Sequence, residues 1–208
     1  ATFAKGNYSY IFETIDVNNG DQPLLFPIDS VPTFTVGYSN VAFLPGIMGS
    51  RIYEQGVVFE DRLWEPNLNL DFEQLKTSPT TGESIRSGLY TRDIIDEAYT
   101  ELQGFNVYKN FEKFMDEEVV GAGIIEEWKA LPYDWRLDFD SLLTNGLKVG
   151  EVGELDNISF TESTSTPYIL QELARLADKS PTGKVTIVTH SIGGLIIKNI
   201  LDALANSV

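Results

Sequence analysis

The sequence predicts a mostly parallel, doubly wound α/β sheet. Three observations carry that reading. Val185-Thr186-Ile187-Val188 is a β-branched run of the kind that fills a buried strand, and a turn at Ser191 leads it straight into helical spacing. Before it, Thr166 to Gly183 reads as a helix and a tight turn back, so helix, strand and helix alternate. Far upstream, Val41-Ala42-Phe43-Leu44 is a second short apolar strand that ends at Pro45-Gly46.

Composition narrows the function classes. The 208 residues suffice for one domain with a sizeable core, and 42% apolar with 22% charged residues is an ordinary globular balance. A net charge of −16 argues against nucleic acid as a partner and against electrostatic attachment to anionic lipid. There is no cysteine, so neither a disulfide nor a thiolate metal site can form. The longest uncharged apolar run, between Lys184 and Lys198, falls short of the ~20 residues of a membrane-crossing helix and contains the Ser turn. The chain opens at Ala1 with no signal-peptide pattern, so a processed or trimmed start is expected.

Residues 1–38 read as an arm of short strands and turns, from a preceding domain or as an edge hairpin on the main sheet, the second being favoured. Asn18-Asn19-Gly20-Asp21 marks a turn between Ile11-Phe12 and Leu24-Leu25-Phe26. The main domain spans 39–208. Its first strand runs into Pro45-Gly46-Ile47-Met48-Gly49-Ser50, a turn whose glycines let backbone come close to a ligand. A plain tight turn is the alternative. Residues 51–104 read as a cap-like insertion, with irregular apolar residues from Trp64 to Leu70 and a Thr-, Ser-, Pro- and Gly-rich loop from Thr77 to Gly88.

Val107, Tyr108, Phe111, Phe114, Met115 and Val119 recur at helical spacing, which predicts a helix over 106–118. Ile124 to Leu131 then reads as a strand approach ending at Pro132-Tyr133-Asp134-Trp135-Arg136. There Asp134 and Arg136 are expected to form a buried ion pair with a structural role near the site, because an isolated buried carboxylate is costly. Asp138 to Ser165 is polar. Thr166-Pro167 gives an N-cap and a first-turn Pro for a helix over 167–179, with Ile169, Leu170, Leu173, Leu176 and Ala177 as its buried stripe. A strand over 184–189 and a helix over 193–206 complete the pattern.

A strand that turns sharply at a Ser into a helix is a nucleophile elbow, in which the hydroxyl is raised above the sheet edge. Gly193 and Gly194 supply the small residues needed where strand and helix nearly touch, while Thr189 stands where the G-x-S-x-G pattern has its first Gly. The helix N-terminus at Ser191 offers free N–H groups to a developing oxyanion. A Ser that merely caps the helix is the alternative. His190 is the only histidine of the chain, and as the neighbour of Ser191 it points away from the nucleophile and is a poor base for it.

Three segments, in this order, resemble the lecithin:cholesterol acyltransferase family, which includes lysosomal phospholipase A and related plant and bacterial lipases. Phe43-Leu44-Pro45-Gly46-Ile47-Met48-Gly49-Ser50 is similar to its first oxyanion segment. Leu131-Pro132-Tyr133-Asp134-Trp135-Arg136 is similar to its Tyr-Asp-Trp-Arg segment, and Thr189-His190-Ser191-Ile192-Gly193-Gly194 to its elbow. Trp64 to Leu70 adds a weaker likeness to a Trp-x-x-Leu-Asn piece. The resemblance covers about residues 40–206. It implies an α/β-hydrolase fold, acyl transfer from a lipid ester to water or an alcohol, Ser191 as the nucleophile, the N–H groups of Ile47 and Ile192 as the oxyanion pair, and neither metal nor organic cofactor.

The sequence departs from that family in one respect. In this fold the acid and the histidine follow the elbow helix along the chain. Here the residues after Gly194 are taken up by that helix, Asp202 lies on it, and no later histidine exists. The expectation is therefore the N-terminal part of a hydrolase, incomplete after the elbow helix. Its acid and base would come from a complementary C-terminal chain, or self-association would cover the open sheet edge. A non-catalytic, hydrolase-like module that binds lipid or protein is the alternative.

Overall fold

The computed structural model describes residues 4–9, 12–16, 22–26, 33–56, 59–66, 71–99, 104–139, 142 and 168–205. The turn expected at Asn18–Asp21, the end of the Trp64–Leu70 stretch, most of the polar stretch after Asp138, and the Thr166-Pro167 cap lie outside the described residues.

A three-stranded parallel sheet organises the chain. Its central strand is β5 (Asn40–Leu44), flanked on one side by β11 (Trp128–Ala130) and on the other by β12 (Val185–Thr189). All five residues of β5 are buried, so both faces of this strand are covered. Alternation sorts its side chains. Ala42 and Leu44 join Leu131, Tyr133, Ile169, Leu176, Ile196, Ile197 and Ile200 in the larger core. Val41 and Phe43 point the other way, against Met115 and Ile125, and against Ile94 and Tyr108.

The helices follow the same division. The stripe of α3 (Tyr168–Asp178) and that of α4 (Gly193–Ala205) cover the Ala42 face. The other face is covered by α2 (Lys109–Lys113) and its continuation Phe114–Val120. That continuation winds with π-type bonds, as in Gly121 N–H to Asp116 O at 2.8 Å. The helix expected over 106–118 thus starts later, at Lys109, and ends later, at Val120, with only its first part α-wound. Its buried side is Tyr108, Phe111, Met115 and Val119, which leaves Phe114 52% exposed rather than buried.

The strand approach of 124–131 narrows to three paired residues. Upstream of them, the N–H groups of Glu126 and Glu127 bond the side-chain oxygen of Asn40, at 3.2 and 2.9 Å. Asn40 is fully buried, and its amide also donates to Leu176 O at 3.1 Å, so one side chain ties three elements together beneath the sheet. The outer edge of β12 pairs with no other strand among the described residues, and Thr186, Val188 and Thr189 on it are exposed.

The arm holds two antiparallel pairs, β1 (Gly6–Ser9) with β4 (Thr33–Val36) and β2 (Phe12–Asp16) with β3 (Gln22–Phe26), and among the described residues neither pair is hydrogen bonded into the three-stranded sheet, so the favoured edge hairpin on that sheet is not found among them. Residues 51–104 contain an antiparallel sheet, β6 (Ile52–Gln55) between β7 (Glu60–Trp64) and β8 (Leu89–Tyr90). The short helix α1 (Asp71–Gln74) follows β7, and β9 (Glu97–Tyr99) pairs with β10 (Gly104–Asn106). No helix among the described residues is long and apolar enough to cross a membrane.

The segment after β5 reaches α2 on one face, whereas β12 leads into α4 on the other. Adjacent strands whose exits diverge open a crevice at their carboxyl ends, the usual place for a ligand in an α/β sheet. Ser191 and the Pro45–Gly49 turn stand at those ends.

Candidate active site

The site is built where β12 stops. The N–H of His190 still donates to Leu44 O at 3.0 Å, continuing the ladder, and the next residue breaks it. Ser191 has φ +53, a conformation unusual for a residue with a side chain. The backbone then closes at once into α4, with Gly193 N–H to His190 O and Gly194 N–H to Ser191 O, both at 3.0 Å. Ser191 is exposed, and no hydrogen-bond partner of its hydroxyl is found among the described residues.

The small residues sit where the turn needs them. A Cβ on Gly193 would lie 2.7 Å from Leu44 O and 2.8 Å from Pro45 O, both backbone atoms. On Gly194 it would meet only the Thr189 hydroxyl, at 3.3 Å. A third requirement comes from across the crevice. A Cβ on Gly46 would lie 2.8 Å from His190 Nδ1 and 3.2 Å from Ser191 Cβ. The close approach offered by the Pro45-Gly46 turn is therefore to the Ser turn itself.

That contact sets side by side the two turns that carry the expected oxyanion residues. Ile47 follows Gly46, Ile192 follows Ser191, and the N–H of neither makes a hydrogen bond among the described residues. Unpaired amides at the start of a helix and in a tight turn are the donors an oxyanion requires. Gly49 N–H closes the turn on Gly46 O at 3.0 Å, with Met48 at φ +61.

Four side chains from three segments brace the turn. Tyr133 Oη donates to Pro45 O at 2.7 Å, and Gly46 N–H donates to Tyr108 Oη at 3.0 Å. The Trp64 indole donates to Met48 O at 2.8 Å, and the Trp135 indole to Ser50 O at 3.1 Å. Ser50 Oγ, fully buried, accepts the N–H of Tyr133 at 3.0 Å. Burial pushes the Tyr108 and Tyr133 hydroxyls above the ordinary tyrosine value, which keeps both protonated and able to donate.

Asp134 and Arg136 form the expected buried pair. Arg136 Nε and Nη2 reach the two carboxylate oxygens at 2.9 and 2.5 Å, the Arg136 N–H caps Asp134 Oδ1 at 3.1 Å, and Nη1 donates to Leu75 O at 3.0 Å. These bonds go to each other and to the residue after α1, not to Ser191. The pair orients the Tyr133–Trp135 segment, whose aromatics bond the carbonyls of Pro45 and Ser50 at the two ends of the turn.

A groove of about 460 Å³ begins at Ile47 and runs between Phe72, Leu75 and Trp135, with Lys76, Thr77 and Arg136 on its polar side. Ile47, Met48 and Phe72 are 56%, 44% and 52% exposed, so apolar surface is open at the Pro45–Gly49 turn and along the groove.

Sequence reasoning missed Tyr108 and Trp64 as parts of this site. Tyr108 carried a signal, since a Tyr in an otherwise apolar helical stripe buries a hydroxyl that must find a partner. That partner is His190 as well as Gly46, with Tyr108 Oη 2.7 Å from His190 Nδ1. Trp64 lies 16 residues from the carbonyl it serves, and nothing local announces the bond. No family model, no curated protein and no solved structure matches the chain.

Proposed function

We propose that the chain is the nucleophile-bearing part of a serine acyl-ester hydrolase or O-acyltransferase of the α/β-hydrolase type, acting on lipid esters. One observation carries the reading. Ser191, at φ +53 on the carboxyl end of a parallel strand, stands against a glycine turn, and the amides of Ile47, next to that glycine, and of Ile192, next to the Ser, have no hydrogen-bond partner among the described residues. A hydroxyl raised out of the sheet beside two free donors suits attack on an ester carbonyl, followed by collapse of a tetrahedral intermediate to an acyl-Ser. The groove starting at Ile47 has the volume and apolar lining for an acyl chain, and the exposed apolar surface suits an apolar substrate better than a charged one. The charge of −16 favours a neutral or zwitterionic ester over an anionic one.

The base comes from outside these 208 residues in this reading, on a complementary chain, because His190 is the only histidine and its Nδ1 is already engaged. The same fact favours the second reading, a hydrolase-like module that binds lipid or protein without turnover. A fluorophosphonate probe separates them. Labelling of the chain that disappears in Ser191→Ala supports the nucleophile, and an unlabelled chain, alone and with any copurifying partner, favours the binding module.

A further inference from the structure

We propose that Tyr108 is a positioning residue, which sets the oxyanion turn against the Ser turn through one hydroxyl, and that His190 is its acceptor rather than a base. The inference rests on Ser191 being the nucleophile. Pro45 O and Gly46 N–H belong to one peptide unit. Tyr133, from the larger core, donates to its oxygen, and Tyr108, from the opposite face of the sheet, accepts from its nitrogen. The plane of that peptide is held at both poles. Its rotation would turn the next amide, that of Ile47, away from an oxyanion above Ser191.

The hydroxyl of Tyr108 has one proton and two acceptor sites. A backbone amide can only donate, so Oη accepts from Gly46 and its own proton is left for His190 Nδ1, 2.7 Å away. In the reverse assignment, with the proton on Nδ1, the hydroxyl accepts twice and its own proton has no acceptor among the described residues. The arrangement that satisfies every group puts the imidazole proton on Nε2. An imidazole in that form has no lone pair at Nε2 with which to take a proton from Ser191. The Tyr108 ring is fixed edge-on to Phe43, with centroids 5.1 Å apart at 73°, so the hydroxyl is delivered by a rigid buried side chain.

Two measurements on the 208-residue chain test this. As the only histidine, His190 gives one set of imidazole ¹⁵N resonances, and these should show the Nε2–H form in the wild type and lose that bias in Tyr108→Phe. The rate at which a fluorophosphonate labels Ser191 should fall about tenfold to a hundredfold in Tyr108→Phe, less than the loss of a direct oxyanion donor. Should Tyr108→Phe fail to fold, the exposed side of the link carries the test. His190→Leu should slow labelling in the same way, and His190→Asn, whose Oδ1 can accept in place of Nδ1, should restore most of the rate. Labelling of Tyr108→Phe or His190→Leu as fast as the wild type, or an Nδ1–H signature in the wild type, overturns the proposal while leaving Ser191 as the nucleophile. A wild type that is labelled neither alone nor with a copurifying partner overturns the nucleophile and this role together.

Discussion

Trp64 donates its indole N–H to the carbonyl oxygen of Met48, at 2.8 Å, and so holds the one residue of the Pro45–Gly49 turn that sits at φ +61. The indole also stands edge-on to Trp135, with centroids 5.2 Å apart. The turn is kept in an unfavoured backbone conformation by side chains that come from well outside it.

That arrangement predicts opposite effects at its two ends. Trp64→Phe keeps most of the ring packing but leaves Met48 O without its donor, and should cost about 1 kcal/mol in denaturant unfolding. Met48→Gly removes the strain of a side chain at positive φ and should stabilise by about 0.5 kcal/mol.

The two glycines after Ser191 should differ sharply. Gly193→Ala forces a methyl onto the carbonyls of Leu44 and Pro45, backbone atoms that cannot give way, and should cost about 2 kcal/mol or more and abolish labelling of Ser191. Gly194→Ala meets only the hydroxyl of exposed Thr189, which can turn aside, and gains helix propensity. Its melting temperature should be equal or higher.

Arg136→Met leaves the Asp134 carboxylate buried without its cation and frees Leu75 O, and should cost about 3–5 kcal/mol. Adding Asp134→Asn to that variant should recover part of the loss. A double-mutant cycle by urea unfolding measures the coupling, and additive costs would contradict the pairing.

Stability should also fall in acid through Glu127. Arg175 donates to both of its oxygens, at 2.9 and 2.6 Å, and holds its carboxyl below the ordinary value of 4.5. A carboxyl lowered in the folded state adds stability above its unfolded value and loses it as pH drops through the lowered one. Arg175→Gln should therefore flatten the pH dependence of unfolding below pH 4.5 while changing stability at neutral pH by less than about 1 kcal/mol.

Turnover by the chain alone should be close to background on a short activated ester, since a Ser hydroxyl without a base is a weak nucleophile. An oxyanion hole and groove without a triad give roughly 10³–10⁴-fold over water, far below a complete enzyme. Rapid turnover abolished by Ser191→Ala would contradict the tautomer assigned to His190.

The elbow was legible because everything that makes it is local. A β-branched run, a Ser, two glycines and a helical stripe lie within twenty residues, and the observed strand and helix begin and end within about one residue of the expected bounds. The partners of Asp134 were legible for the same reason. Tyr108 and Trp64 were not, because their bonds reach Gly46, His190 and Met48 across the fold. The π-wound stretch Phe114–Val120 was missed because its apolar residues also fit an α-helical period, and only the bonding offset tells the two apart.

The order of strands has a consequence for the chain as it is made. Strand β5 sits at the centre, yet its partner residue for Asn40 is Val185, which is synthesised far later. At about 5–20 residues per second that interval lasts on the order of 10–30 s, during which a largely apolar strand lacks one edge partner throughout and both until Trp128–Ala130 are made. Nascent chains halted before Val185 should be cut by protease near residues 40–44, and chains halted well past α4 should resist. The residues that later form the floor of the site are thus the ones most in need of shelter during synthesis.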